Sequence, residues 1–146
     1  MTDYGAVIDD ALAALQRGGV ITSPDEIEAV GFKTVLGKDL SGCVMADQQV
    51  IAALEGFTAV APAHNPPYAA GIAQFEKSLP NARLVALFET AFYQWTSPAS
   101  YSYAIPRAWR DIGIRRYGFH GASHKFIAER SAELCGREDV AEIARR

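Results

Sequence analysis

Apolar residues recur along this chain in short, bounded runs. Ile8, Ala11, Leu12 and Leu15 lie at helical spacing and stop before Gly18-Gly19, which predicts an amphipathic helix over 6–16. Ser23-Pro24-Asp25-Glu26 combines a capping hydroxyl, a proline at the first helical position and a glutamate three residues on, so a helical turn is expected there. A strand over 28–35 follows. Asp47 predicts a helix cap, with Val50, Ile51 and Leu54 on one face as far as Glu55, and Gly56 as the stop. A loop around His64 leads into a helix from Pro66-Pro67 to about Ser78. Leu84-Val85-Ala86-Leu87-Phe88, bounded by Asn81 and Glu89, is continuously apolar, the pattern of a buried parallel strand. The last helix opens at Ser123. Its Ile127, Ser131 and Leu134 share one side, Ala128 and Ala132 stand beside them, and Gly136 ends it. Helices alternating with short strands give an α/β fold class. No repeat, low-complexity tract or linker interrupts the chain, so a single domain over 1–146 is expected.

Composition narrows the functional classes. With 146 residues, 49% of them hydrophobic and 21% charged, the chain can build a core and falls outside the disordered and collagen-like classes. A net charge of -3 argues against a nucleic-acid partner, whereas the local group Arg107, Arg110, Arg115, Arg116 and Lys125 suits a small anion. Cys43 and Cys135 form no CxxC pair and are expected as free, buried thiols. No window reaches 18 consecutive apolar residues, and Met1-Thr2-Asp3-Tyr4 does not open a basic-then-apolar leader. No membrane partner is therefore expected, and the expected location is cytoplasmic.

The chemistry concentrates in turns. Arg115-Arg116-Tyr117-Gly118-Phe119-His120-Gly121-Ala122-Ser123-His124-Lys125-Phe126 holds two of the three histidines, two glycines and three cations. His120 and His124, four apart, match the spacing of a zinc pair but bring no third ligand. Alternatively, Gly118 and Gly121 let the backbone turn so that His120 stands near a helix N-terminus, where it can stabilise charge on a phosphoryl group. A hydrogen-bonded turn with no ligand is the third reading. His64-Asn65-Pro66-Pro67 carries two prolines without amide hydrogens, leaving the His and Asn side chains as polar handles. Glu89, directly after an apolar strand, stands where α/β sheets bind ligands, and such an acid also serves as a plain cap.

Taken in order, four segments resemble the acetate kinase family with its propionate and butyrate kinases. They are Ala61-Pro62-Ala63-His64-Asn65-Pro66-Pro67, Phe88-Glu89-Thr90-Ala91-Phe92, Tyr101-Ser102-Tyr103-Ala104-Ile105-Pro106 and Ile114 to His124. Ala29 to Gly37 is similar to the family's Gly-His-Arg-hydrophobic-Val-His-Gly stretch. The resemblance implies an actin-like, ribonuclease-H-like ATPase fold, of which this chain is a partial, truncated domain from inside the N-terminal half. It also implies phosphate transfer between ATP and a short-chain carboxylic acid to give an acyl phosphate, with magnesium.

By the same resemblance, His120 steadies the phosphoryl group in transfer and His64 lines the carboxylate and phosphate site. Val35 walls the acyl pocket, Ala63 stands where the family has Leu, and Asn65 and Phe119 belong to the substrate side. Glu89 replaces a catalytic Asp and Lys33 a catalytic Arg, while Phe32, Leu36 and Tyr93 replace histidines. A carboxylate displaced by one methylene, near 1 Å, costs on the order of 100-fold in rate. Lys33 also loses the planar two-pronged grip of an Arg. The family's Asn-x-Gly-Ser-Ser-Ser phosphate loop, its Gly-rich adenosine site and its magnesium-binding Glu have no counterpart in this sequence. Weak or absent transfer is therefore expected of the chain alone, with a second chain or self-association as partner. The alternative is a non-catalytic module that holds acyl phosphate or a carboxylate around His64, His120 and Arg116, or serves interaction only.

Overall fold

The computed structural model describes residues 4–139; the leader reading at Met1–Asp3 lies outside the described residues. Two compact units divide the chain, one ending at Phe88 and the other beginning at Glu89.

The first unit is a small sheet with helices. Its elements are α1 (Tyr4–Arg17), β1 (Ala29–Thr34), β2 (Cys43–Met45), α2 (Gln48–Gly56), α3 (Asn65–Ser78) and β3 (Arg83–Phe88), with a 3₁₀ turn at Pro24–Glu26. The caps form where their residue types predict. Val20 N–H reaches the Leu15 carbonyl and Gly19 N–H the Gln16 carbonyl, with Gly19 at φ 69°, so the helix closes on a residue that carries no Cβ penalty. The Asp47 carboxylate accepts from the Gln49 and Val50 amides at 2.9 and 3.2 Å. At the 3₁₀ turn, Ser23 accepts from Asp25 N–H and the Glu26 carboxylate turns back onto Thr22, whose hydroxyl and amide hold its pKa below the ordinary value.

The sheet order is β1-β3-β2, with β1 parallel to β3 from Ala29↔Arg83 to Thr34↔Phe88 and β2 antiparallel to β3. Alternation sends Leu84, Ala86 and Phe88 inward, where they meet Val50, Ile51 and Leu54 of α2 and Ala69 and Ile72 of α3. Each of the Val, Ile, Leu and Phe side chains among them stabilises the fold by about 1.5–3 kcal/mol. Phe32 meets Phe75 edge to face at 5.4 Å.

Three expectations need correction. β3 is parallel to β1 but buried on one face only: Leu87 is 41% exposed and its neighbour Met45 on β2 55%. The continuous apolar run therefore did not signal two-sided burial. Both cysteines are exposed, Cys43 because it lies opposite Leu87 on the same open face and Cys135 because it caps a helix end. β2 was missed because three residues are too short to display a period.

The second unit has little core of its own. It holds a 3₁₀ turn at Ala91–Tyr93, α4 (Pro98–Tyr101), α5 (Arg107–Asp111) and α6 (Gly121–Leu134). α6 begins two residues earlier than Ser123, and its buried positions are Gly121 and Ala132. Ile127 and Leu134, expected inward, are 58% and 72% exposed, so the Ala128/Ala132 side and not the bulky side faces the unit's own turns.

One side chain ties the first unit together. Asn65 is fully buried at the start of α3, and its Nδ2 donates to both the Leu36 and the Leu54 carbonyls at 2.9 Å. It joins the segment after β1, the end of α2 and the start of α3. Removing it leaves two carbonyls buried without a donor. Asn65→Ala should therefore cost about 2–4 kcal/mol in urea unfolding. Asn65→Asp should cost more at pH 7, because its carboxylate faces two carbonyl oxygens. Burial raises that folded carboxyl pKa above the unfolded value of about 4, so the Asp variant should lose stability as pH rises through the raised value.

Candidate functional site

The second unit builds its site at the start of α6. His120 is the N-cap residue, in the left-handed conformation at φ 55°, ψ 34°, a region that costs a residue with a Cβ roughly 1–2 kcal/mol. The residue that holds it is Glu89. The Glu89 carbonyl accepts the Gly121 amide at 2.9 Å, and its carboxylate Oε2 lies 3.4 Å from the His120 amide and 3.7 Å from His120 Nδ1. Glu89 is 7% exposed and the His120 side chain 73% exposed. A buried carboxylate thus lies beside an exposed imidazole, beyond hydrogen-bond distance of its Nδ1.

The glycines were expected to let the backbone turn, and the structure shows how they serve that turn. Neither Gly118 nor Gly121 has positive φ; His120 between them does. They are needed for close approach. A Cβ on Gly121 would overlap the Glu89 carbonyl, and one on Gly118 would overlap the Tyr93 ring. The Tyr93 hydroxyl donates to the Phe119 carbonyl at 3.2 Å, and its ring meets His124 edge-on with centroids 6.0 Å apart. Tyr93 was read from sequence only as a replaced histidine, and nothing in a linear sequence shows that its ring fills the space beside Gly118.

The cations nearby are braced. Arg115 stacks on Tyr101 at 3.9 Å and on Tyr117 at 4.9 Å, and Arg116 lies over Tyr103 at 5.2 Å while donating to the Ser100 carbonyl at 3.0 Å. Arg107 pairs with Asp111 at 3.6 Å. The basic group is thus partly committed to fixing the loop that leads into the His120 turn.

In the first unit, Ala63 and His64 are exposed and Asn65 is buried. His64 is the N-cap of α3 and makes no side-chain cap bond. Asn65 N–H bonds the Ala61 carbonyl, Tyr68 N–H bonds the His64 carbonyl, and Pro66 and Pro67 carry no hydrogen. That helix start therefore offers no backbone donor. With the Asn65 amide hydrogens taken by Leu36 and Leu54, the imidazole is the polar group this turn presents. The Leu36 bond also brings the segment of half-buried Val35 to the start of α3, whereas exposed Lys33 lies on the opposite side of β1 from buried Thr34. Among the described residues no three His, Cys, Asp or Glu side chains converge to hold a metal ion.

Comparison with known proteins gives one consistent result. The model of the acetokinase family matches residues 1–144. Acetate kinase of Oceanobacillus iheyensis is 42% identical over 138 residues, covering 93% of this chain and 35% of that protein. An acetate kinase of Listeria monocytogenes is 44% identical over 137 residues, covering 92% and 34%. Among solved structures, Porphyromonas gingivalis acetate kinase matches with TM-score 0.77 and 38% identity over 93% of this chain and 35% of its own. A Francisella tularensis propionate kinase matches with TM-score 0.79 and 30% identity over 92% and 35%. The chain thus spans about a third of the length of the relatives it matches, and its α/β arrangement is part of their actin-like ATPase fold.

The strain at position 120 can be measured. His120→Gly and His120→Ala both delete the imidazole, but only the former relieves the left-handed backbone. The Gly variant should be about 1 kcal/mol more stable than the Ala variant in urea unfolding. Gly121→Ala should be the least stable of the three, because its methyl meets a backbone carbonyl that cannot step aside.

Proposed function

The chain belongs to the acetokinase family, and we propose that it carries part of the acid-facing wall of a short-chain carboxylate kinase, with His120 in the second unit and His64 in the first each offered as a separate group toward acyl phosphate or carboxylate. The observation that carries this reading is the His120 turn. A strained backbone, two glycines at contact distance and a buried glutamate together fix the backbone from which one exposed imidazole projects. In phosphoryl transfer little covalent work falls to the protein, and positioned charge on the equatorial oxygens does most of the catalysis. An exposed imidazole on a fixed backbone, beside a buried carboxylate, suits that need.

The other expected residues take graded roles. Glu89 orients His120 from beneath. Val35 and Ala63 bound the acyl tail, the small Ala63 side chain leaving room for propionate, where each filled methylene is worth about 1–3 kcal/mol. Lys33 supplies charge without the Arg fork. Asn65 holds the His64 turn from inside, and Phe119 contributes its carbonyl to the fixing of His120. ATP and magnesium, which by family would bring the phosphoryl donor and neutralise charge on its oxygens, need groups beyond the described residues. Residues 1–146 thus read as one portion of a larger kinase domain acting in the cytoplasm.

Binding without transfer is a second reading, favoured by the Lys33 and Glu89 replacements. Titration of the chain with acetyl phosphate by calorimetry, paired with a coupled assay containing ATP, magnesium and acetate or propionate, separates the two. Saturable binding weakened at least tenfold in His120→Ala and His64→Ala is expected of either reading. Turnover abolished in His120→Ala supports the kinase, binding without turnover supports the module, and absence of binding overturns both.

A further inference from the structure

We infer that Tyr93 is a positioning residue that sets the orientation of His120, an inference that rests on the reading of His120 as the ligand-facing imidazole. Residues 118–121 are gripped at two ends by the short segment 89–93. At the far end the Glu89 carbonyl takes the Gly121 amide at 2.9 Å. At the near end the Tyr93 ring occupies the space where a side chain on Gly118 would stand, and its hydroxyl donates to the Phe119 carbonyl at 3.2 Å.

That carbonyl belongs to the peptide unit that joins Phe119 to His120. Fixing its direction fixes the plane from which the φ rotation of His120 starts, and φ is the dihedral that lies in the strained left-handed region. A backbone in a sparsely populated region stays there only when its surroundings over-determine it. Glu89 holds the downstream side of His120 through its carbonyl and reaches the His120 amide with its carboxylate, whereas Tyr93 holds the carbonyl end of that same peptide unit. The same ring lies edge-on to His124, one helical turn beyond His120, with centroids 6.0 Å apart, and edge-on to Phe92 at 5.3 Å. Tyr93 therefore has little freedom to follow the turn if it relaxes.

Tyr93→Phe removes one hydroxyl and keeps the ring, so it leaves packing in place and tests the lock itself. Amide hydrogen exchange of the intact chain should show Gly121 exchanging about five- to ten-fold faster in Tyr93→Phe, while Ile72 and Leu84 in the first unit keep their rates. Affinity for acetyl phosphate should fall about fivefold with an unchanged urea midpoint. Unchanged exchange at Gly121 overturns the inference, and so does equal acceleration at Ile72 and Leu84, which marks general loosening. Undiminished acetyl phosphate affinity alongside faster Gly121 exchange also overturns it, since the turn would then move without consequence for the ligand. If the unaltered chain does not bind acetyl phosphate, the ligand reading of His120 fails, and the exchange comparison alone decides whether Tyr93 sets the His120 turn.

Discussion

The single backbone hydrogen bond from the Gly121 amide to the Glu89 carbonyl is the contact on which the second unit's organisation rests. It has the ordinary length of 2.9 Å, and it admits no side chain at position 121. Because the bond uses the main chain of Glu89, the carboxylate of the same residue remains available for the His120 amide and imidazole. One residue thus fixes both where α6 begins and which way its first side chain faces. Burial strengthens the arrangement, since a hydrogen bond shielded from water competes less with solvent.

Much of this was legible from residue types whose effects are local. Ser23, Asp47 and the glycines at 19 and 136 act on amides and carbonyls within a few residues, and each acts in the structure as its chemistry predicts. What escaped was non-local. Whether Leu87 faced a neighbour depended on what covers the outer side of the sheet, which a five-residue apolar run does not encode. The bulky side of α6 was expected to be buried on periodicity alone, yet Ala132 and not Leu134 is the buried position. At the site, His120, Glu89 and the importance of the glycines were visible. The assignment of strain to the histidine and not to the glycines was not, because it arises from contacts with Glu89 and Tyr93 about thirty residues away.

The two units differ in how they are stabilised. The first closes a core of apolar side chains from β3, α2 and α3 beside Asn65, whose Nδ2 donates to two carbonyls while its Oδ1 is buried without a partner. The second buries few large apolar side chains: Trp95 is 81% exposed, Ile112 73% and Phe126 65%. Its order comes instead from turn hydrogen bonds, stacked guanidinium groups and close glycine contacts. Such interactions fix direction well and add little cohesion. This fits a chain that corresponds to about a third of its kinase relatives, in which the matched segment is one part of a longer fold.

The start of α3 has a further consequence. Its two prolines and its committed amides leave a helix terminus that has a positive electrostatic field but no hydrogen to give. Rotation of the one exposed imidazole at His64, with no rearrangement of the backbone, therefore decides whether this terminus presents a donor outward at all.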